Sequence, residues 1–377
     1  MPAIPNVMPK FLITAALLCA CGLAAAAPQA SIKAKRHAAG KAHVDRKSAA
    51  AHKAASDDTP DLVTYGRRDD VMRFAAEVAE RHGFEPAALQ DTLAQARFVP
   101  AVARLLLPPK AGTAKNWAAY RGRFVEPIRI RAGVAFWHAN EAALLKAEQT
   151  YGVPPEVIAG VIGVETIYGQ QMGSFRVIDA LATLGFDFPA GRSDRSAFFR
   201  DELESYFVMC RAAGSDPLQL KGSYAGAMGM PQFMPSSVNR YAVDGDGDGA
   251  IDLRSSPADV IASVAHYLAE FGWQRGMPIR FAVAAPVDAR DRAALLVPDI
   301  VPTFTAAGLA GKGATLDEAA AGFEGLLALV ELQNGEAAPS YVAGTANFYA
   351  ITRYNWSSYY AMAVIELGEA VARGAGR

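Results

Sequence analysis

Residues 155–169 read PEVIAGVIGVETIYG. Pro155 opens it and Gly169 closes it, so it is predicted to be one helix over 155–168. Ile158, Val161 and Ile162 repeat at helical spacing and the next place on that stripe is Glu165. A carboxylate on a buried stripe is costly when ionised. Desolvation raises its pKa, and a carboxylic acid that stays protonated near neutral pH is what general-acid catalysis needs. The competing reading is a buried Glu hydrogen-bonded to backbone or paired with an Arg. Gly160 and Gly163 leave one helix side bare, open to close approach by another backbone or a ligand.

Around this segment most of the chain has helical periodicity. Val71, Phe74, Ala75 and Val78 predict a helix with Asp69 as N-cap and Gly83 as its stop. Pro86 opens a second helix, ending near Phe98. Residues 99–135 are broken by Pro100, Pro108, Pro109 and Gly112. Further helices are predicted over 134–150, 176–185, 195–213, 257–272 and 357–373. Past Pro278 come short β-like runs, Ile279 to Ala284, Leu326 to Leu332 and Ser340 to Val342. The fold class expected is mainly α, within α+β. The division expected is 61–135 as a helical domain, 136–277 as the core with an aspartate loop, 278–343 as a small β-containing domain, and 344–377 as a return to the core.

The ends carry different information. The chain has 377 residues, 51% hydrophobic and 20% charged, with three Cys, which excludes wholesale disorder and a disulfide-stapled fold. Net charge is +1 over 1–30, +6 over 31–56 and −8 over the rest. An acidic body is a poor nucleic-acid binder. Residues 1–27 read as an export signal, with Lys10 before the apolar run Phe11 to Ala20. Cleavage after Ala26 and lipidation at Cys21, within Leu18-Cys19-Ala20-Cys21, are competing routes; an uncleaved short anchor is the alternative. Residues 28–60 read as a basic, disordered spacer, with His37, His43 and His52 solvated in it.

Two further clusters strengthen the functional reading of Glu165. Gly222 to Gly229 is a Gly/Ala-rich loop followed by Pro231-Gln232-Phe233-Met234-Pro235-Ser236-Ser237, with Ser236 or Ser237 expected to cap a helix. Asn347 to Trp356 is aromatic and polar. These segments, together with Gly163-Val164-Glu165-Thr166, resemble the membrane-bound lytic transglycosylase B family over roughly residues 65–375. The resemblance implies a goose-lysozyme-like helical core with an added helical domain and a small β domain. It implies cleavage of peptidoglycan between N-acetylmuramic acid and N-acetylglucosamine with a 1,6-anhydro end. By the same resemblance Glu165 is the acid/base, and Tyr120, Arg195, Ser223, Gln232, Tyr354 and Asn355 contact substrate or face the acid. The loop before Arg195 is longer than the family's usual pattern, and Met230 stands where Gly is more common. A non-catalytic peptidoglycan-binding scaffold and a hydrolytic muramidase are the alternatives.

Asp244-Gly245-Asp246-Gly247-Asp248-Gly249 matches the first half of an EF-hand loop, with the Ala250 carbonyl at position seven and Ser255 where the bidentate Glu normally stands. In the resemblance Asp259 replaces that Glu, giving a structural Ca2+ site of Asp244, Asp246, Asp248, Ala250 and Asp259; Asp252 is the weaker candidate. No catalytic cofactor is expected. The expected protein is a periplasmic monomer whose partners are glycan strands, the outer-membrane lipid layer through Cys21, and penicillin-binding proteins, with no nucleic acid.

Overall fold

The computed structural model describes residues 63–107 and 115–377; the expectations for the export signal, Cys21, the basic spacer and Pro108 to Gly112 lie outside these residues. In chain order the elements are α1 (Asp69–His82), α2 (Pro86–Ala94), α3 (Pro100–Leu106), α4 (Trp117–Phe124), α5 (Pro127–Ala139), α6 (Glu141–Tyr151), α7 (Pro155–Thr166), β1 (Phe175–Arg176), α8 (Val177–Phe186), α9 (Ser196–Ala212), β2 (Lys221–Gly222), α10 (Pro235–Tyr241) and α11 (Pro257–Glu270). There follow β3 (Arg280–Ala284), α12 (Ala289–Leu296), α13 (Ala306–Gly311), β4 (Thr315–Leu316), α14 (Glu318–Ala321), β5 (Ala328–Asn334), β6 (Ala337–Gly344), α15 (Ala346–Thr352) and α16 (Ser358–Gly374).

The chain is mainly helical, as expected. Its central helix is more deeply placed than a one-sided stripe suggests. Every residue of α7 except Glu156 and Glu165 is buried, the pattern of a helix packed on all sides. Its closest neighbour is α16. The Gly160 Cα faces the Val364 carbonyl so closely that an added Cβ would stand 2.2 Å from it, and Gly368 faces the Glu156 carbonyl in the same way at 2.0 Å. The bare side of Gly160 therefore receives a backbone, not a ligand.

Three hydrophobic clusters result. One joins α4 to α7, α11, α15 and α16 with the inner face of the β5–β6 pair. A second joins α1–α3 to α8, α9 and the Gly-rich loop through Tyr224, Ala225 and Met228. The third fills the small β unit, whose antiparallel sheet runs β4-β3-β6-β5. Residues through Leu106 thus pack with α8 and α9, whereas those from Trp117 pack with α7 and α16, so packing divides the expected 61–135 unit.

Several boundaries differ from expectation, each for a local reason. Arg68, not Asp69, is the N-cap of α1. α2 stops at Ala94 because the next backbone pairs with residues 63–65, Tyr65 donating to Ala96 and Phe98 to Val63. Pro100 and Pro127 sit at helix starts, where a missing N–H costs nothing, so α3 and α5 form there. The single helix expected over 134–150 is two, because Asn140 leaves helical geometry and its amide donates to Phe136 O.

Candidate active site

Glu165 occupies the penultimate position of α7. Its carboxyl accepts one hydrogen bond at 2.6 Å from the Tyr360 hydroxyl, carried on α16. Burial pushes its pKa up to about 7, and the Tyr360 bond opposes that rise. No other charge bears on it; among the described residues there is no second carboxylate beside it. The arrangement is a lone, half-protonated acid with a phenol donor.

Tyr354, Tyr360 and Tyr267 surround it. Burial and the negative charge of Glu165 hold the phenols of Tyr354 and Tyr360 far above their ordinary pKa, and Tyr267 is raised for the same reasons. All three remain neutral donors through the working pH range. The Tyr354 and Tyr360 rings stack 6.2 Å apart, 14° from parallel. Tyr354 donates to Pro231 O at 2.6 Å and its ring packs on Phe233, so it joins the acid to the Gly-rich loop.

A second tie is Thr166, next to Glu165. Its hydroxyl donates to Met230 O at 2.8 Å and accepts from Gly169 N. The loop is tied together by its own side chains. Ser223 Oγ accepts from the N–H groups of Ala225 and Ala227. Gln232 is buried with φ +53°, and its amide nitrogen donates to Gly229 O and Met172 O. A non-Gly residue held in the left-handed region stores about 1–3 kcal/mol and persists only where its surroundings fix it. Gly173 is required: a Cβ there would meet Gly222 O at 2.1 Å, beside the β1–β2 pair that leads into Ser223.

The other expected site residues are placed as follows. Tyr120 lies in an aromatic group with Trp117, Phe124 and Tyr359, near enough to Tyr360 to influence its titration. Asn355 is half-buried and follows Tyr354. Arg195 is the N-cap residue of α9, with its guanidinium 4.4 Å over the Phe198 ring. Burial, with neighbouring Arg192, lowers its pKa, and Glu202 opposes this. Ser236 and Ser237 do not cap α10. Its N-cap is Met234, and Glu202 of α9 accepts from the Ser236 N–H at 2.9 Å and from its hydroxyl at 2.6 Å.

In the aspartate loop, ligand atoms of Asp244, Asp246 and Asp259 lie within 4.8 Å of one another. Asp248 falls outside that group and caps Ala250 N. Asp259 is 1% exposed, and its two oxygens accept from Gly245 N and Asp252 N, pinning both ends of the loop. Asp252 turns away, accepting from Arg254 N and Ser255 N.

Sequence reasoning missed Tyr360 and Tyr267. Tyr360 carries the same signal as Glu165: with Ala363, Val364 and Leu367 it makes a buried helical stripe, and it is the one polar tip on it.

A lone, partly buried acid near the end of the central helix of a lysozyme-like α core, flanked by an internally hydrogen-bonded Gly-rich loop, defines a glycan-cleaving enzyme of the lysozyme superfold class. Residues 66–369 match the model of the transglycosylase SLT domain. The chain is 41% identical over 316 residues to membrane-bound lytic murein transglycosylase B of Escherichia coli, covering 82% of this chain and 84% of the relative. It superposes with a TM-score of 0.73 on the E. coli lytic transglycosylase SLT35 in complex with calcium, at 40% identity, covering 83% of this chain and 96% of the other. SltB3 of Pseudomonas aeruginosa in complex with NAG-anhNAM-pentapeptide superposes with a TM-score of 0.66, at 29% identity, covering 82% and 79%. The chain belongs to this family, the lytic murein transglycosylases that carry the SLT domain.

Proposed function

We propose that this lytic transglycosylase cleaves the β-1,4 bond between N-acetylmuramic acid and N-acetylglucosamine with Glu165 as its acid and base, leaving a 1,6-anhydromuramic end. The observation that carries the reading is the isolation of Glu165. Ordinary glycosidases set two carboxylates about 5–5.5 Å or 6.5–9.5 Å apart. Here one carboxyl, poised near pH 7, accepts from the neutral phenol of Tyr360, and the hydroxyls of Tyr354 and Tyr267 are spent on backbone carbonyls. Protonated Glu165 donates to the leaving oxygen. The muramic 2-acetamido oxygen stabilises C1 in place of a carboxylate. Ionised Glu165 then takes the C6 hydroxyl proton as O6 closes on C1. Water must be kept out at that moment. The complex of P. aeruginosa SltB3 with an anhydro sugar supports the product assignment.

Tyr120, Ser223, Gln232, Tyr354 and Asn355 are assigned to the groove around the reacting sugars, and Arg195 to its outer part. Asp244, Asp246 and Asp259, with the Ala250 carbonyl, would hold a calcium ion. Three convergent carboxylate oxygens suit a hard cation, and the calcium complex of SLT35 supports it. The ion supplies charge neutralisation within the loop. Envelope location follows from the membrane-bound relative and the export signal; no described helix is long and apolar enough to cross a membrane. An outer-membrane anchor through Cys21 is part of this proposal.

Mass analysis of products from purified sacculi tests the reading. Muropeptides one water lighter than hydrolytic products are expected. Hydrated products would make the protein a muramidase, and an absence of products a scaffold.

A further inference from the structure

Arg129, in the first turn of α5, is 4% exposed. Its Nε donates to Gly163 O at 2.8 Å and its Nη1 to Arg123 O at 2.5 Å. The guanidinium sits 5.1 Å over the Phe124 ring, and the nearest carboxylate in its ion-pair reach is Glu126, 4.0 Å away. A buried cation spent mainly on backbone carbonyls is unusual, because desolvation is costly without a close counter-ion. Gly163 O is one of the last carbonyls of α7, where the helix dipole is negative and a cation is favourable. It lies two residues before Glu165.

The chain beyond that point is under strain. Ile167, Tyr168 and Gly169 have φ of +51°, +55° and +89° in succession. This turn sends the Tyr168 ring back beneath the helix. Its hydroxyl oxygen lies 2.5 Å from where a Cβ on Gly163 would stand and 2.3 Å from one on Gly133, so only glycines fit. That hydroxyl is buried without a hydrogen-bond partner among the described residues. Two left-handed non-Gly residues and an unsatisfied hydroxyl do not hold a helix end in place by themselves.

We propose that Arg129 is a positioning residue for the reaction: its grip on the Gly163 carbonyl fixes the last turn of α7 against α5 and so aims the Glu165 carboxyl. It acts through backbone, since Arg129 is not among the influences on the Glu165 pKa. The inference rests on Glu165 being the acid. Thr166 ties the same turn to the Gly-rich loop on the other side, so Arg129 supplies the anchor toward α5.

Arg129→Met, Arg129→Lys, Tyr168→Phe and Glu165→Gln are compared on peptidoglycan well below their melting temperatures. Arg129→Met is expected to lose kcat by roughly 10- to 100-fold, the scale of an ångström-size misplacement, with KM within about twofold. Tyr168→Phe, which removes an unpartnered group, should keep kcat and melt no lower than wild type. A purely structural arginine would lower the melting temperature while the folded enzyme kept wild-type kcat, and that result overturns the proposal. If Arg129→Met does not fold, Arg129→Lys decides. One ammonium cannot span both carbonyls as the fork does, so kcat should fall; wild-type kcat in that variant overturns the proposal. Substantial activity in Glu165→Gln would instead overturn the assignment of the acid, which separates the two failures.

Discussion

Glu165 is where the side-chain chemistry is concentrated, and its protonation has two consequences of opposite sign. In its proposed role as general acid it must carry a proton, so kcat should fall on the alkaline side with a limb near pH 7. For stability, the folded state holds this proton more tightly than the unfolded chain. The contribution is full below about pH 4.5 and is lost as pH rises toward and through 7. Above that, the desolvated carboxylate costs about 3 kcal/mol. Glu165→Gln should therefore lose at least ~10²-fold in turnover yet melt several degrees above wild type at pH 8, with little difference at pH 4.5. A pH series of thermal melts reads the second effect independently of activity. Tyr360→Phe removes the bond that opposes the rise. The alkaline limb of its pH–rate profile should move to higher pH, and kcat should fall as the carboxyl loses its orientation.

At the scale of elements, the proposed active site is the crossing of α7 and α16, which carry Glu165 and Tyr360. Gly160 permits that approach. Gly160→Ala puts a methyl against the Val364 carbonyl at a separation no pair of atoms tolerates, so the helices must part. Overpacking of this kind costs about 1–3 kcal/mol. It should lower both melting temperature and kcat, and Tyr360→Phe added to Gly160→Ala should cost less than additively. The acid was legible in sequence because it breaks the apolar stripe it occupies, and the glycines because they leave a helix side bare. The partner face was not, since helical periodicity says which residues are buried but not against what. Tyr360 shows the gap: 195 residues from Glu165, it is joined to it only by the fold. The same limit explains the N-terminus of α10. Sequence offers Ser236 as cap, whereas the oxygen that satisfies the Ser236 N–H comes from Glu202 on another helix. The helix break at Asn140 was equally hidden, because its 134–150 window has continuous apolar spacing and the interruption is one local side-chain bond.

At the scale of the whole molecule, the aspartate loop adds polar ties between parts that already share one hydrophobic cluster. It runs between α10 and α11, Lys146 of α6 donates to Gly245 O, and Leu253 O accepts from Met230 N at the edge of the Gly-rich loop. In the proposed calcium-bound form, an ion there would stiffen the surroundings of Gln232 without touching the reaction. An extracellular-type site has a dissociation constant on the order of 10⁻⁴–10⁻³ M. At tenfold excess the stabilisation is about 1.4 kcal/mol, a few degrees in melting temperature for a chain of this size. Chelation should lower the melting temperature by that amount and leave most activity intact at low temperature. Magnesium should substitute poorly, since it demands a smaller octahedral shell. Asp246 is the informative position: it is exposed and belongs to the convergent group, whereas Asp259 also pins two backbone amides and its loss would destabilise the loop with or without an ion. Asp246→Asn should melt like the chelated wild type and show no calcium-dependent shift. Equal melts of wild-type protein in millimolar calcium and in chelator would show that the three carboxylates hold no ion, and their convergence would then reflect only the backbone amides they accept from.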